Sequence, residues 1–388
     1  MPHLLISKHK DITTPINCDD VSFSFIARSN KENKILVECQ NKQFFLTIKN
    51  TNTNILVKID NTTRVSPVSI LKKALNAYSK ICRANILFTN INNTTSKIEP
   101  KQEFLKDITY FVNDFKICKN IFIEIGFGSG KHLIYQALQN PDKLIIGLEI
   151  HTPSIEQMLK QVRIKGITNI LAINYDARLF LEFIDSNSID KIFVHFPVPW
   201  DKKPHRRVMS DDFITQSLRA LKINGKLELR TDSLNYFNYV VNLLAKFKKF
   251  PVQILKNKDI EINSKYETRW KKQGKNIWDI IISSTIKDET LTINNDFSFD
   301  ININIAKLSL IKKTIIKNNY LVNFENIFKI DDQHNIIQLT MGSFNKPISK
   351  YIIIKHNNAS YFQGDPIPTN ENLKAHKLVK KYLSGDIK

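Results

Sequence analysis

Apolar and polar positions alternate with a period of two through the first sixty residues, in Val21-Ser-Phe-Ser-Phe, Ile35-Leu-Val-Glu-Cys, Phe44-Phe-Leu-Thr-Ile and Ile55-Leu-Val-Lys-Ile. Asn- and Lys-rich turns separate these runs, and the pattern predicts antiparallel strands. The period then changes: Ile70, Leu71, Ala74, Leu75, Tyr78 and Ile81 share one helical face, with Pro67 suited to the first turn and Ser66 placed to cap it. Further on, short apolar runs alternate with helical stretches. Ile121–Ile125, Leu144–Ile150, Ile170–Asn174, Ile192–Phe196, Lys226–Asp232 and Asn276–Ile282 read as strands, whereas Lys131–Leu138 and Asp211–Leu221 read as helices, the second ended by a Gly225 stop. Such alternation predicts a doubly wound α/β sheet. The tail returns to strands at Ile336-Ile-Gln-Leu-Thr and Tyr351-Ile-Ile-Ile and closes with a helix from about Asn372 to Leu383. Polar passages at Thr89–Lys97 and Asn294–Asn304 read as linkers. They divide the chain into a β-rich N-terminal extension with one helix (1–98), an α/β domain (99–287) and a β-rich C-terminal extension ending in a helix (288–388).

The glycines identify where chemistry sits. The chain has 10 in 388 residues; none precedes Gly126, and Gly126, Gly128 and Gly130 fall together after the strand Ile121–Ile125. A usage of roughly 7% would supply more than twice as many, so this local density marks a turn that needs bare backbone. Dinucleotide-binding turns present backbone N–H groups to a pyrophosphate, usually as G-x-G-x-x-G. Here the spacing is G-x-G-x-G, and Glu124 stands two residues ahead, where its charge would repel phosphate and attract a cation. S-adenosylmethionine, with a sulfonium, an ammonium and no phosphate, fits that requirement. Glu149 follows at the end of the next strand, where a carboxylate holds ribose hydroxyls, and Asp176 follows the third. The three acids are about one βα unit apart and should line the carboxyl edge of a parallel sheet.

Charge points to the partner. The formal net charge is +20 and the pI about 9.6, which favours a polyanion. From Val198 to Lys275 there are 18 Lys or Arg against 8 acids. Within that segment, the run from His195 through Pro197-Val-Pro-Trp-Asp-Lys-Lys-Pro-His-Arg-Arg207 combines prolines, an aromatic ring and cations, a mixture suited to phosphate binding and base stacking. Cys18, Cys39, Cys82 and Cys118 form no C-x-x-C and adjoin no His pair, so no metal site is expected and the thiols read as reduced. No stretch reaches the roughly 18 apolar residues of a membrane span, and a cytoplasmic protein is expected.

Six motifs in order resemble the bacterial tRNA (guanine-N7-)-methyltransferases. They are Ile123-Glu-Ile-Gly-Phe-Gly-Ser-Gly, Gly147-Leu-Glu-Ile-His, Asp176-Ala, Phe196-Pro-Val-Pro-Trp-Asp-Lys202, Arg230-Thr-Asp232, and Thr268-Arg-Trp-Lys-Lys-Gln-Gly274 followed by Ile277-Trp-Asp279. They span roughly residues 115 to 285, with the flanks outside. The resemblance implies a Rossmann-like methyltransferase domain that transfers the methyl of S-adenosylmethionine to N7 of guanosine 46 in the variable loop of tRNA. By that carry-over Glu124, Glu149 and Asp176 hold the donor beside Gly126, Gly128 and Gly130. By the same carry-over Lys202 and Asp232 contact the substrate and Thr268 with its neighbours closes over it, while Arg206 and Arg207 are added as substrate contacts by the charge of the basic loop itself.

One position departs from the family. Its Phe-Pro-Asp-Pro-Trp pattern has an aspartate where this chain has Val198, expected to pack between Pro197 and Pro199. No catalytic residue is therefore assigned with certainty, and Asp201 and Asp232 are the candidate substitutes. N7 of guanine carries an unprotonated lone pair, so attack needs no base and in-line positioning can supply the catalysis, while a nearby carboxylate would stabilise charge passing to the purine. Two alternatives stand beside this reading: a weak or inactive tRNA-binding relative, and a small-molecule methyltransferase, which would have no use for the basic segment. A nicotinamide dehydrogenase is disfavoured by Glu124 and by the glycine spacing.

Overall fold

The computed structural model describes residues 2–8, 10–51, 53–91, 100–116, 120–247, 249–261, 274–290, 296–303, 314–344 and 347–386. They fall into two compact units, one of Ser96–Ile293 and one of Met1–Thr95 together with Asn294–Lys388.

The alternating runs of the N-terminal flank form β1 (His3–Lys8), β2 (Ile16–Cys18), β3 (Val21–Arg28), β4 (Asn33–Cys39), β5 (Lys42–Asn50) and β6 (Ile55–Ile59). Antiparallel pairing in the order β3-β4-β5-β6-β1 converts the alternation into two faces. One face, with Phe23, Val37, Leu46 and Val57, packs on α1 (Val68–Ile81) through Leu71, Ala74, Leu75 and Tyr78. Pro67 rather than Ser66 occupies the N-cap of α1, and no side chain caps it. β7 (Asn85–Thr89) follows along β1, so Thr89 closes a strand instead of opening a linker.

The second unit runs β8 (Leu105–Lys106), α2 (Ile108–Asn113), β9 (Ile121–Ile125), α3 (Lys131–Gln139), β10 (Leu144–Leu148), α4 (Thr152–Lys165), β11 (Ile170–Ile173), α5 (Ala177–Phe180), β12 (Ile189–His195), α6 (Asp211–Ala220), β13 (Leu221–Thr231), α7 (Leu234–Leu244), β14 (Val252–Lys256) and β15 (Trp278–Ser283). β9 is buried throughout, the usual state of a strand covered on both faces. The sheet order is β14-β15-β13-β12-β9-β10-β11-β8, with parallel pairing from β8 to β13 and antiparallel pairing of β15 and β14. The chain moves outward from β9 through β10 and β11, then returns to β12 and β13 on the other side. This reversal is the signature of the doubly wound fold. Gly225 does not stop α6, because β13 begins at Leu221 and passes straight through it. A Cβ there would lie 2.8 Å from Lys222 O and 3.1 Å from Asp190 O, so close backbone approach accounts for the glycine.

The C-terminal flank forms β16 (Thr314–Ile316), β17 (Tyr320–Lys329), β18 (His334–Ser343), β19 (Ile348–Lys355), β20 (Asn358–Tyr361) and α8 (Asn370–Ser384). Thr369 caps α8 by accepting from Asn372 N–H, and Gly385 ends it at φ 80°. Phe297 and Ile303, in the passage read as a linker, are buried in the core beneath α8. The flanks, read from the sequence as separate extensions, share one unit. β17 pairs with β3 at Lys329 and Arg28, and the Phe45 ring packs 5.1 Å from Tyr351 and 4.7 Å from Phe362. Buried Lys34 meets Asp60 at 2.9 Å, and Tyr351 OH donates to the same carboxylate at 2.9 Å.

Candidate active site

Strand order reverses between β9 and β12, and ligands of such sheets bind outside the carboxyl ends at that reversal. Beyond β9 the chain turns through Gly126, Gly128 and Gly130 at φ 68, 53 and 72°. A Cβ on Gly126 or Gly128 would meet no described atom within 4 Å, so the backbone there borders open space. On Gly130 it would lie 2.3 Å from Met158 Cγ, and that glycine serves helix packing instead.

The three acids stand at the ends of adjacent strands, and each is already engaged. Glu124, 4% exposed, meets His132 Nδ1 at 3.0 Å. Glu149 accepts from Gly128 N–H at 2.9 Å through Oε2, and from Ile150 and His151 N–H at 2.8 and 3.0 Å through Oε1. It thereby ties the glycine turn to the end of β10. Asp176 caps α5 and pairs with the Arg178 guanidinium at 2.7 Å.

The sequence singles out neither His132 nor, beyond its place at the head of the basic loop, His195. His132 lies in the first turn of α3, and its ring centroid is 4.5 Å from that of His195. Burial opposes charge on His132. The charge and hydrogen bond of Glu124, with the charge of Glu228, outweigh burial and the repulsion of Arg230, and the pKa rises above its usual value. His195 shifts the other way, held well below the ordinary imidazole value by burial and then by the charges of His132 and Arg230. If one of the two rings is protonated, it is therefore His132. A histidine two residues past the last glycine of the turn was the available signal.

The loop after β12 has two parts with different roles. Phe196 and Trp200 adopt φ of 50 and 46°, a state that costs bulky residues of order 1–3 kcal/mol and persists only where the surroundings enforce it. Arg207 supplies much of that enforcement. It is 7% exposed, its Nε donates to Pro199 O at 2.7 Å, its Nη2 donates to Asp201 Oδ1 at 3.2 Å, and its guanidinium lies 4.4 Å from the Tyr239 ring centroid. Arg207, which the sequence reads as a phosphate contact, is thus a buried clasp within the loop, and Asp201, half-exposed, accepts from it through one oxygen. Lys202 and Arg206 are exposed, with Arg206 5.2 Å over the Trp200 ring. Val198 is 60% exposed, so its side chain faces solvent and is not packed between its prolines. Asp232, just past β13, pairs with Lys275 at 3.5 Å. Thr268 lies outside the described residues, as does Cys118. Among the described residues no group of three or more His, Cys, Asp or Glu could hold a metal ion, and no helix is long and apolar enough to cross a membrane.

Residues 118–280 match the sequence model of a family described as "Putative methyltransferase". Proteins called tRNA (guanine-N(7)-)-methyltransferase align with the chain from end to end. One from Wolinella succinogenes is 39% identical, covering 99% of this chain and 100% of that protein. One from Campylobacter fetus is 35% identical with 99% of each covered, and one from Helicobacter hepaticus is 36% identical with 100% of each covered. The flanks, which the six motifs left outside the resemblance, lie within the matched length.

Proposed function

The chain belongs to the tRNA (guanine-N(7)-)-methyltransferases, and on that footing we propose that it transfers a methyl group from S-adenosylmethionine to N7 of guanosine 46 in the variable loop of tRNA. The observation that carries the reading is the pairing of β9 with β12, which sets the glycine turn and its acids beside the basic, aromatic loop at one sheet edge.

The residues present suit the donor. Glu124 provides negative charge for a ligand with two cationic centres and no phosphate, beside the open backbone of Gly126 and Gly128, and Glu149 keeps acceptor capacity for a ribose hydroxyl. Asp176, already paired with Arg178, suits a neutral polar edge better than a cationic one. When bound, the donor supplies a methyl on a positively charged sulfur that keeps the bonding electron pair as the methyl departs. The task left to the chain is to hold guanine N7 in line, and Lys202, Arg206 and Trp200 are exposed where they can take a phosphate and a base. Asp232 and Thr268 are assigned to the substrate by the family motifs.

The Val198 departure is compatible with activity, because a lone pair at N7 requires no prior deprotonation. An exposed position also accepts a carboxylate with little desolvation, so Val198→Asp should leave the single-turnover methylation rate within about threefold, under roughly 0.7 kcal/mol of barrier. A rise of tenfold or more would show that the missing carboxylate limits the reaction.

The whole reading is tested with purified full-length protein, labelled donor and unmodified tRNA, followed by nucleoside analysis. Label should appear as 7-methylguanosine, and not at all in a tRNA with adenosine at position 46. Donor and tRNA binding without 7-methylguanosine would leave a tRNA-binding relative.

A further inference from the structure

Each flank lays one helix across its sheet, and the exposed sides of the two helices are charged differently. On α1, Lys73 lies 2.9 Å from Asp20 and Lys80 lies 3.1 Å from Asp19, so carboxylates beside β3 match the lysines. On α8, Ala375, Leu378, Val379 and Leu383 are buried, while Lys374, Lys377 and Lys381 are exposed. At 3.6 residues per turn these three fall within an arc of about 60° and along about 10 Å of axis. None of them has a carboxylate within 4 Å among the described residues. Glu371, one turn earlier, makes no ion pair with Lys374, and Lys380, beside the stripe, is the lysine that is matched, to Asp300.

An unmatched stripe works against the fold. Like charges at i, i+3 and i, i+4 repel by a few tenths of a kcal/mol per pair, which a bound polyanion would reverse. The unit containing α8 also carries more than half of the chain's excess charge, with 26 Lys and Arg against 14 Asp and Glu.

We propose that Lys374, Lys377 and Lys381 make the exposed face of α8 a phosphate-binding surface for the tRNA substrate. The proposal rests on the tRNA reading above and adds a contact outside the methyltransferase unit. Lysine ammonium groups are point charges that read no base, so this surface contributes affinity and counterion release, not choice of nucleotide.

The test compares the full-length protein with the triple variant Lys374→Ala, Lys377→Ala, Lys381→Ala and with the control Lys73→Ala, Lys80→Ala. Alanine is a strong helix former, and all five positions are solvent-facing, so both variants should fold. With unmodified tRNA, the slope of log K against log salt should fall by about 2 to 3 in the triple variant and stay put in the control, with donor affinity by calorimetry unchanged in both. A natural protein that binds no tRNA would defeat the underlying functional reading. Natural binding with an unaltered slope in the triple variant would overturn this inference alone, as would an equal fall in the control. A loss confined to phosphatidylserine vesicles would assign the face to a membrane and overturn it too.

Discussion

Replacing Glu149 by alanine should weaken binding of S-adenosylmethionine roughly 10- to 150-fold while leaving tRNA affinity nearly unchanged. A carboxylate offers about four lone-pair directions, and three are taken by Gly128, Ile150 and His151 N–H. What remains can receive a donor hydroxyl. The substitution therefore removes a ligand contact and the link that holds Gly128 against the end of β10. Losing a charge-assisted hydrogen bond costs about 1.5–3 kcal/mol, and this sets the range. Glutamine should rescue little. If its carbonyl keeps the Ile150 and His151 bonds, its amide nitrogen faces Gly128 N–H, donor against donor. Calorimetry with the donor, beside tRNA binding at fixed salt, decides the matter: undiminished donor affinity in Glu149→Ala would move the pocket elsewhere.

Glu149 also shows what the sequence could reveal. Its place at a strand end, 25 residues from Glu124 and 27 from Asp176, was legible because buried parallel strands are short continuous apolar runs and the βα unit has a nearly fixed length. Its grip on the glycine turn was not, since side-chain rotamers leave no trace in spacing. Arg207 illustrates the same limit. In the sequence it is one cation in a run of them, and only the fold brings Tyr239 beneath it and Pro199 O within 2.7 Å, which turns a surface charge into a clasp. The flanks show the limit at longer range. Alternation named the two faces of each sheet but not what covers the second face, and the Tyr351 to Asp60 hydrogen bond joins residues 291 apart.

The second large effect is expected at Asp279. Arg230, 1% exposed on β13, stands opposite Asp279 in the β15 register, with Nη1 at 2.6 and 2.8 Å from the two carboxylate oxygens and Nη2 donating to Lys258 O at 3.0 Å. Asp279→Ala would take away the carboxylate whose two oxygens both face this buried guanidinium, and breaking such a pair from one side costs about 3–5 kcal/mol. For a unit near 200 residues this is a fall of about 6 to 20 °C in melting temperature. Removing both charges, as Arg230→Met with Asp279→Leu, should recover most of the loss, because apolar packing of similar volume can replace a buried pair. Thermal melts of the three proteins give the comparison. A double variant no more stable than the single one would place the cost in lost packing instead of the broken ion pair. Asp232 lies two residues beyond Arg230, so a double variant that regains the fold should also regain 7-methylguanosine formation if the pair serves only to hold β13 and β15 in register. Recovered stability without recovered methylation would show that the Arg230 charge, which bears on both His132 and His195, takes part in the site itself.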